Sequence, residues 1–69
     1  MDTILVYYQE ITHSDPTGWE RVPEYRVGSA IDSWLADHSG GFVKCMTQDT
    51  FKRTTYGKVM LAREETDSL

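Results

Sequence analysis

Five consecutive residues near the start of the chain, Ile4-Leu5-Val6-Tyr7-Tyr8, put large apolar or aromatic side chains on both alternating faces of an extended segment. Apolar–polar alternation marks a strand with one wet face, whereas an unbroken run marks a strand covered on both. The run therefore predicts a central strand within residues 3–12. Beyond Tyr8 the sequence turns polar, as expected where a strand emerges into solvent.

Length narrows what can surround that strand. With 69 residues the chain has room for one domain, and the reading is a single α+β unit over residues 1–63 with an acidic, frayed tail at 64–69. A chain this short buries only roughly 60% of the surface its unfolded form exposes. Small domains offset that deficit with disulfides, metals, dense packing or self-association. The single Cys45 excludes an internal disulfide and fits a reducing compartment. The run 4–8 falls far short of the roughly 20 apolar residues of a membrane-spanning helix. Asp2, with no basic stretch around it, does not read as a secretory leader. The expectation is a cytoplasmic protein with no membrane association.

The remaining elements follow from local signals. Ser14-Asp15-Pro16-Thr17-Gly18 matches a type I turn, with Pro presetting φ and Gly tolerating positive φ. It predicts a hairpin whose second strand covers 19–27. Pro23 lacks an N–H, so that strand belongs at a sheet edge or is split there. Gly28-Ser29 opens a helix with Ser29 as N-cap and Asp32 in its first turn. Ile31, Trp34, Leu35 and His38 share its apolar face, with His38 at its end, and Ser39-Gly40-Gly41 stops it. Residues 42–47 read as a third strand and 58–63, with the run Val59-Met60-Leu61-Ala62, as a fourth. Gln48 to Gly57 is a long hairpin loop or one helical turn between them. The predicted order is β-β-α-β-β, a small antiparallel sheet with one helix packed on one face.

No catalytic or metal signature appears. His13, His38 and Cys45 are unpaired and far apart in sequence, although His38 can approach Cys45 across the glycine pair. Cys45 lies mid-strand among apolar residues, a setting that hides a thiol from reaction. Neither Gly40-Gly41 nor Gly57-Lys58 sits in a phosphate-loop frame. The expectation is a non-enzyme without cofactor or metal.

Charge and aromatic content carry the functional reading. Residues 1–40 hold seven acids and two bases, whereas 44–63 hold five bases and Asp49 alone among acids. Glu10, Asp15, Glu20 and Glu24 line the first hairpin, with Asp32 and Asp37 on the helix. Such a surface is complementary to the basic groove of a nucleic-acid-handling protein. Trp19 and Tyr25, on the same edge strand, supply anchors of the type that dominates interfaces. This predicts a protein-binding module using these eight residues. The alternative is nucleic-acid binding through Lys44, Lys52, Arg53, Tyr56 and Lys58, where cations interleave with an aromatic ring; a pI of about 4.9 weighs against it. A marginal core and an aromatic edge strand also leave room for a homodimer.

A tiny, acidic, cysteine-poor α+β chain of this kind resembles, at the level of class only, the inhibitors that bacteriophages encode against host machinery, such as anti-CRISPR proteins and inhibitors of host RNA polymerase. The resemblance is compositional, carries no residue over, and implies an inhibitor of a host nucleic-acid-handling complex.

Overall fold

The computed structural model describes residues 2–10 and 15–67. Three strands, β1 (Asp2–Tyr8), β2 (Gly18–Pro23) and β3 (Phe42–Met46), form one antiparallel sheet in the order β2-β1-β3. A 3₁₀ turn over Glu24–Arg26 joins β2 to helix α1 (Val27–Asp37), and β3 leads to the short α2 (Gln48–Phe51) and then to α3 (Thr55–Asp67). β1 is central, as its sequence predicts. Among the described residues no helix is long and apolar enough to cross a membrane.

The double-sided burial of β1 organises everything else. Ile4 and Leu5 are fully buried, and Val6, Tyr7 and Tyr8 nearly so. On one face Ile4, Val6 and Tyr8 form a cluster with Phe51 of α2, and Trp19, Phe42, Met46, Tyr56, Met60 and Leu61 close around it. On the other face Leu5, Tyr7 and Val22 are covered by Val27, Ala30, Ile31 and Trp34 of α1, with Val43 beside them. The protein is thus a three-layer α/β/α arrangement built on three strands. The single helix on one face expected from the sequence is only half of the cover.

The fourth strand is absent. Residues 58–63 lie inside α3, which continues through residues 64–67 where the frayed tail was expected. The run Val59-Met60-Leu61-Ala62 is too short to distinguish a strand from a helix by periodicity. Its surroundings decide: Lys, Met, Leu, Ala, Arg and Glu are strong helix formers. Tyr56, Met60 and Leu61 then fall on one helical face, against the core. The helix also has a start signal. The Thr54 hydroxyl accepts from the Gly57 amide at 2.8 Å while the Thr54 carbonyl accepts from Lys58 N–H at 3.0 Å, which is N-cap geometry. Thr47 caps α2 in the same way, accepting from the Thr50 amide at 3.1 Å. The segment 48–57 therefore holds one helical turn and a tight corner rather than a hairpin loop.

Other boundaries shift for local reasons. Pro23 ends β2 at the sheet edge, and the chain passes at once into the 3₁₀ turn, so Tyr25 is not on a strand. That turn runs directly into α1, which starts at Val27 with Arg26 at the cap position and no side-chain cap. Ser29 lies within the first turn, its hydroxyl donating back to the Arg26 carbonyl at 3.2 Å. Ile31 and Trp34 face the sheet as expected, but Leu35 is 37% exposed. At the other end His38 is the C-cap, and Gly40 adopts φ of 89°, the left-handed conformation the glycine pair was expected to supply. The turn expected over Ser14–Gly18 falls partly on residues 11–14, outside the described ones, as does His13. Thr17 lies against β1, its amide and hydroxyl donating to the Tyr7 carbonyl at 2.8 and 3.2 Å.

One side chain ties the α2–α3 layer to the sheet edge. The Arg21 guanidinium donates through Nη1 and Nη2 to the two Glu64 carboxylate oxygens, at 3.2 and 3.3 Å, and through Nε to Gln48 Oε1 at 3.3 Å. It also sits 5.5 Å from the Trp19 ring centroid. As a half-exposed pair this contributes about 0–1 kcal/mol, but residues 62–66 are otherwise exposed.

Two expectations follow. Gly57 has its α-carbon against the Phe51 carbonyl, where a Cβ would overlap backbone that cannot move aside. Gly57→Ala should cost about 1–3 kcal/mol, a fall in Tm of roughly 4–8 °C per kcal/mol for a domain of this size, whereas Gly28→Ala, on a helix with open space around its Cβ position, should raise Tm in the same melt. Arg21→Ala should leave Tm within a few degrees but speed amide exchange across residues 62–66 relative to β1.

Candidate functional site

The acids named from the sequence do not form one surface. Glu20, on β2, and Asp37, at the end of α1, line the same shallow depression of about 460 Å3 between strand and helix, together with Tyr7, Arg26, Ser33 and Trp34. Glu10 and Asp15 meet instead at the far end of the hairpin, around a smaller hollow of about 270 Å3 beside Pro16 and Thr17. Asp32 is exposed on a different side of α1 and does not line the depression. Glu24 and Tyr25 occupy the 3₁₀ turn next to it in the chain.

The anchors separate as well. Trp19 points inward, its ring 4.9 Å from that of Phe51, and is part of the core. Tyr25 is 87% exposed, the most exposed large hydrophobic residue among those described. Its ring stands in water on the tight turn, next to Glu24.

The wall of the depression is aromatic and ordered. Tyr7 stacks on Trp34 at 4.8 Å, and Trp34 stacks on His38 at 4.1 Å with rings 5° from parallel. The His38 Nδ1–H donates to the Trp34 carbonyl at 2.9 Å, which fixes that ring at the helix end. Tyr7 reaches out of the core to donate its hydroxyl to Glu20 Oε1 at 2.7 Å. Burial, followed by the hydrogen bond and charge of Glu20, pushes the Tyr7 phenol far above its ordinary value. The result is a carboxylate held in place by a buried donor, a second carboxylate and a serine nearby, and an aromatic wall. Arg26 lines the same depression, so its charge is mixed, two carboxylates against one guanidinium. From the sequence Tyr7 and Trp34 read as core positions rather than site residues, and Arg26 was not named. The signal that finds Tyr7 is the polar tip of a tyrosine at the end of a buried run, which must reach a partner at the rim.

The basic residues named for the alternative are dispersed. Lys44 lies on β3 with its ammonium 5.2 Å from the Tyr8 ring centroid. Lys52 pairs with Asp49 at 3.1 Å. Arg53 follows α2, Lys58 lies on α3, and Tyr56 packs edge-on against Phe51 at 6.2 Å within the core. Burial raises the Tyr56 phenol also, with Arg63 opposing and Tyr8 adding to the shift. Cys45 is exposed on the edge strand β3 rather than hidden as its neighbours implied. Among the described residues no group of three or more His, Cys, Asp or Glu is placed to hold a metal ion.

Tyr7 and Tyr56 keep their protons in the folded state at a pH where an unfolded chain, with tyrosines near pH 10, loses them. Their contribution is full below about pH 10 and is lost as pH rises beyond it. Denaturant melts at pH 9, 10 and 11 should therefore show falling stability, less steeply in Tyr7→Phe; an equal slope in both proteins would remove Tyr7 from this account. No protein-family model matches the chain, and neither a curated protein nor a solved structure is found to resemble it.

Proposed function

We propose that this chain is a non-enzymatic protein-binding module that docks its acidic side, formed by β2, the 3₁₀ turn and α1, onto a basic surface of another protein. The observation that carries this is Tyr25, 87% exposed beside Glu24, with the Glu20–Asp37 depression alongside. Tyrosine at the centre of a contact contributes through burial of a rigid ring, and surrounding carboxylates steer and orient the approach. In the narrower form of the reading, the partner is a host nucleic-acid-handling complex and the chain inhibits it by covering a surface that otherwise receives phosphates. The acidic charge of this side and the size class of the chain are what favour that form.

The dispersed positions of Lys44, Lys52, Arg53 and Lys58, and the packing of Tyr56 in the core, give direct nucleic-acid binding less support. Both readings meet in one experiment. Immobilised chain is challenged with bacterial lysate, and the retained protein is then titrated against purified variants, with DNA and RNA as competitors. The expected result is a retained protein whose affinity falls tenfold or more with Tyr25→Ala, and again with Glu24→Lys plus Asp37→Lys, and which nucleic acid displaces. Retention of nothing, or retention indifferent to all three substitutions, would sink the proposal. Direct DNA or RNA binding abolished by Lys52→Glu plus Arg53→Glu would replace it with the alternative.

A further inference from the structure

The outer side of α3 is uncovered, and its chemistry specifies what fits there. Two shallow troughs run along it and meet at Val59. One, of about 500 Å3, is lined by Tyr8, Asp15, Pro16, Thr55, Tyr56 and Val59; the other, of about 560 Å3, by Val59, Ala62, Arg63 and Thr66. Val59 is 45% exposed, and Ala62 and Thr66 are exposed with it. Spacings of three and four residues place Val59, Ala62 and Thr66 on one stripe. That stripe is turned away from Met60 and Leu61, which pack on the sheet, with Tyr56 at the border between the two sides.

Charge is arranged around the stripe in a self-complementary way. Lys58 and Glu65 are seven residues apart, so they stand on the same flank, separated by about two helical turns or ~10 Å. Both are exposed. When two antiparallel helices are related by a two-fold axis, equal flanks meet with their ends reversed. Lys58 of each copy then falls opposite Glu65 of the other, twice, with Ala62 near the axis where close approach is needed. A parallel pair would set that flank against the Arg63 side of the other helix and lose the double match.

We propose that a second copy of this chain docks on α3, forming an antiparallel α3–α3 homodimer centred near Ala62. The contact goes beyond the proposed partner-binding side, since it uses the opposite helix layer and leaves Tyr25 and the Glu20–Asp37 depression uncovered. It also adds apolar cover to a domain too small to bury much of its own surface. A single helix pair sits at the low end of interface sizes, so the association is concentration-dependent.

Sedimentation equilibrium from micromolar to millimolar chain at low salt tests it, with circular dichroism confirming helix content in each variant. The expected outcome is a monomer–dimer equilibrium. Lys58→Glu and Glu65→Lys should each weaken it about tenfold, by converting two attractions into two repulsions. Lys58→Glu with Glu65→Lys together should recover most of the loss, and Val59→Gln should weaken the dimer with the charges intact. A monomer at every concentration overturns the proposal. A dimer that ignores Val59→Gln, or that the paired charge reversal fails to restore, overturns the antiparallel α3 contact.

Discussion

A strand buried on both faces needs two covers, and in this chain nearly every other feature answers that demand. The five residues from Ile4 to Tyr8 are all buried, so each face of the three-stranded sheet must carry its own packing layer. With so little chain available, each layer is one principal helix, and large rings fill what more elements would fill elsewhere. Tyr7 stacks on Trp34 on the α1 side, while Tyr8 stacks on Phe42, 4.5 Å and 1° from parallel, on the α3 side. Stacked pairs contribute about 0.5–1.5 kcal/mol beyond area burial, a large share of the stability of so small a domain.

The same constraint explains which parts of the fold were legible. β1, the start of β2, the position of α1 and the extent of β3 are each announced by local chemistry: an apolar run, a Pro23 that cannot continue a ladder, a Gly40 that stops a helix. α3 was not, because Val59-Met60-Leu61-Ala62 satisfies two periods at once. The deciding information was nevertheless in the sequence, at a distance. A β1 covered on both sides requires a second helical or sheet layer, and a β-β-α-β-β chain with one helix supplies only one. Reading residues 55–66 as a helix satisfies β1 and also accounts for Thr54, which as a hairpin residue has no particular purpose and as an N-cap has one.

For the candidate site, charge was legible and geometry was not. The acidic bias of the first forty residues is plain, but whether two carboxylates share a depression depends on how α1 is rotated above β2. That rotation is set by the three-residue 3₁₀ turn and by Trp34 seating on Tyr7, neither of which charge counting detects. Hence Glu20 and Asp37 converge and Asp32 does not. The two aromatic anchors expected on one strand part for a related reason: with β2 ending at Pro23, Tyr25 leaves the strand and swings outward, while Trp19, opposite Val6 in register, takes the inward face.

Among the described residues β2 and β3 have no outer neighbour, and an open edge invites indiscriminate pairing. Each is blunted by a cation lying over an aromatic ring, Arg21 over Trp19 and Lys44 over Tyr8, and β2 closes on a proline that offers no donor. Arg21 is further held by Glu64 of α3. The surfaces left for specific contacts are the outward sides of the helices and the turn between β2 and α1. Those are the places where large apolar side chains stay in water, Tyr25 on the turn, Leu35 on α1 and Val59 on α3. Exposed apolar side chains at these positions, in a chain that has few to spare for its core, are what the proposed contact surfaces rest on.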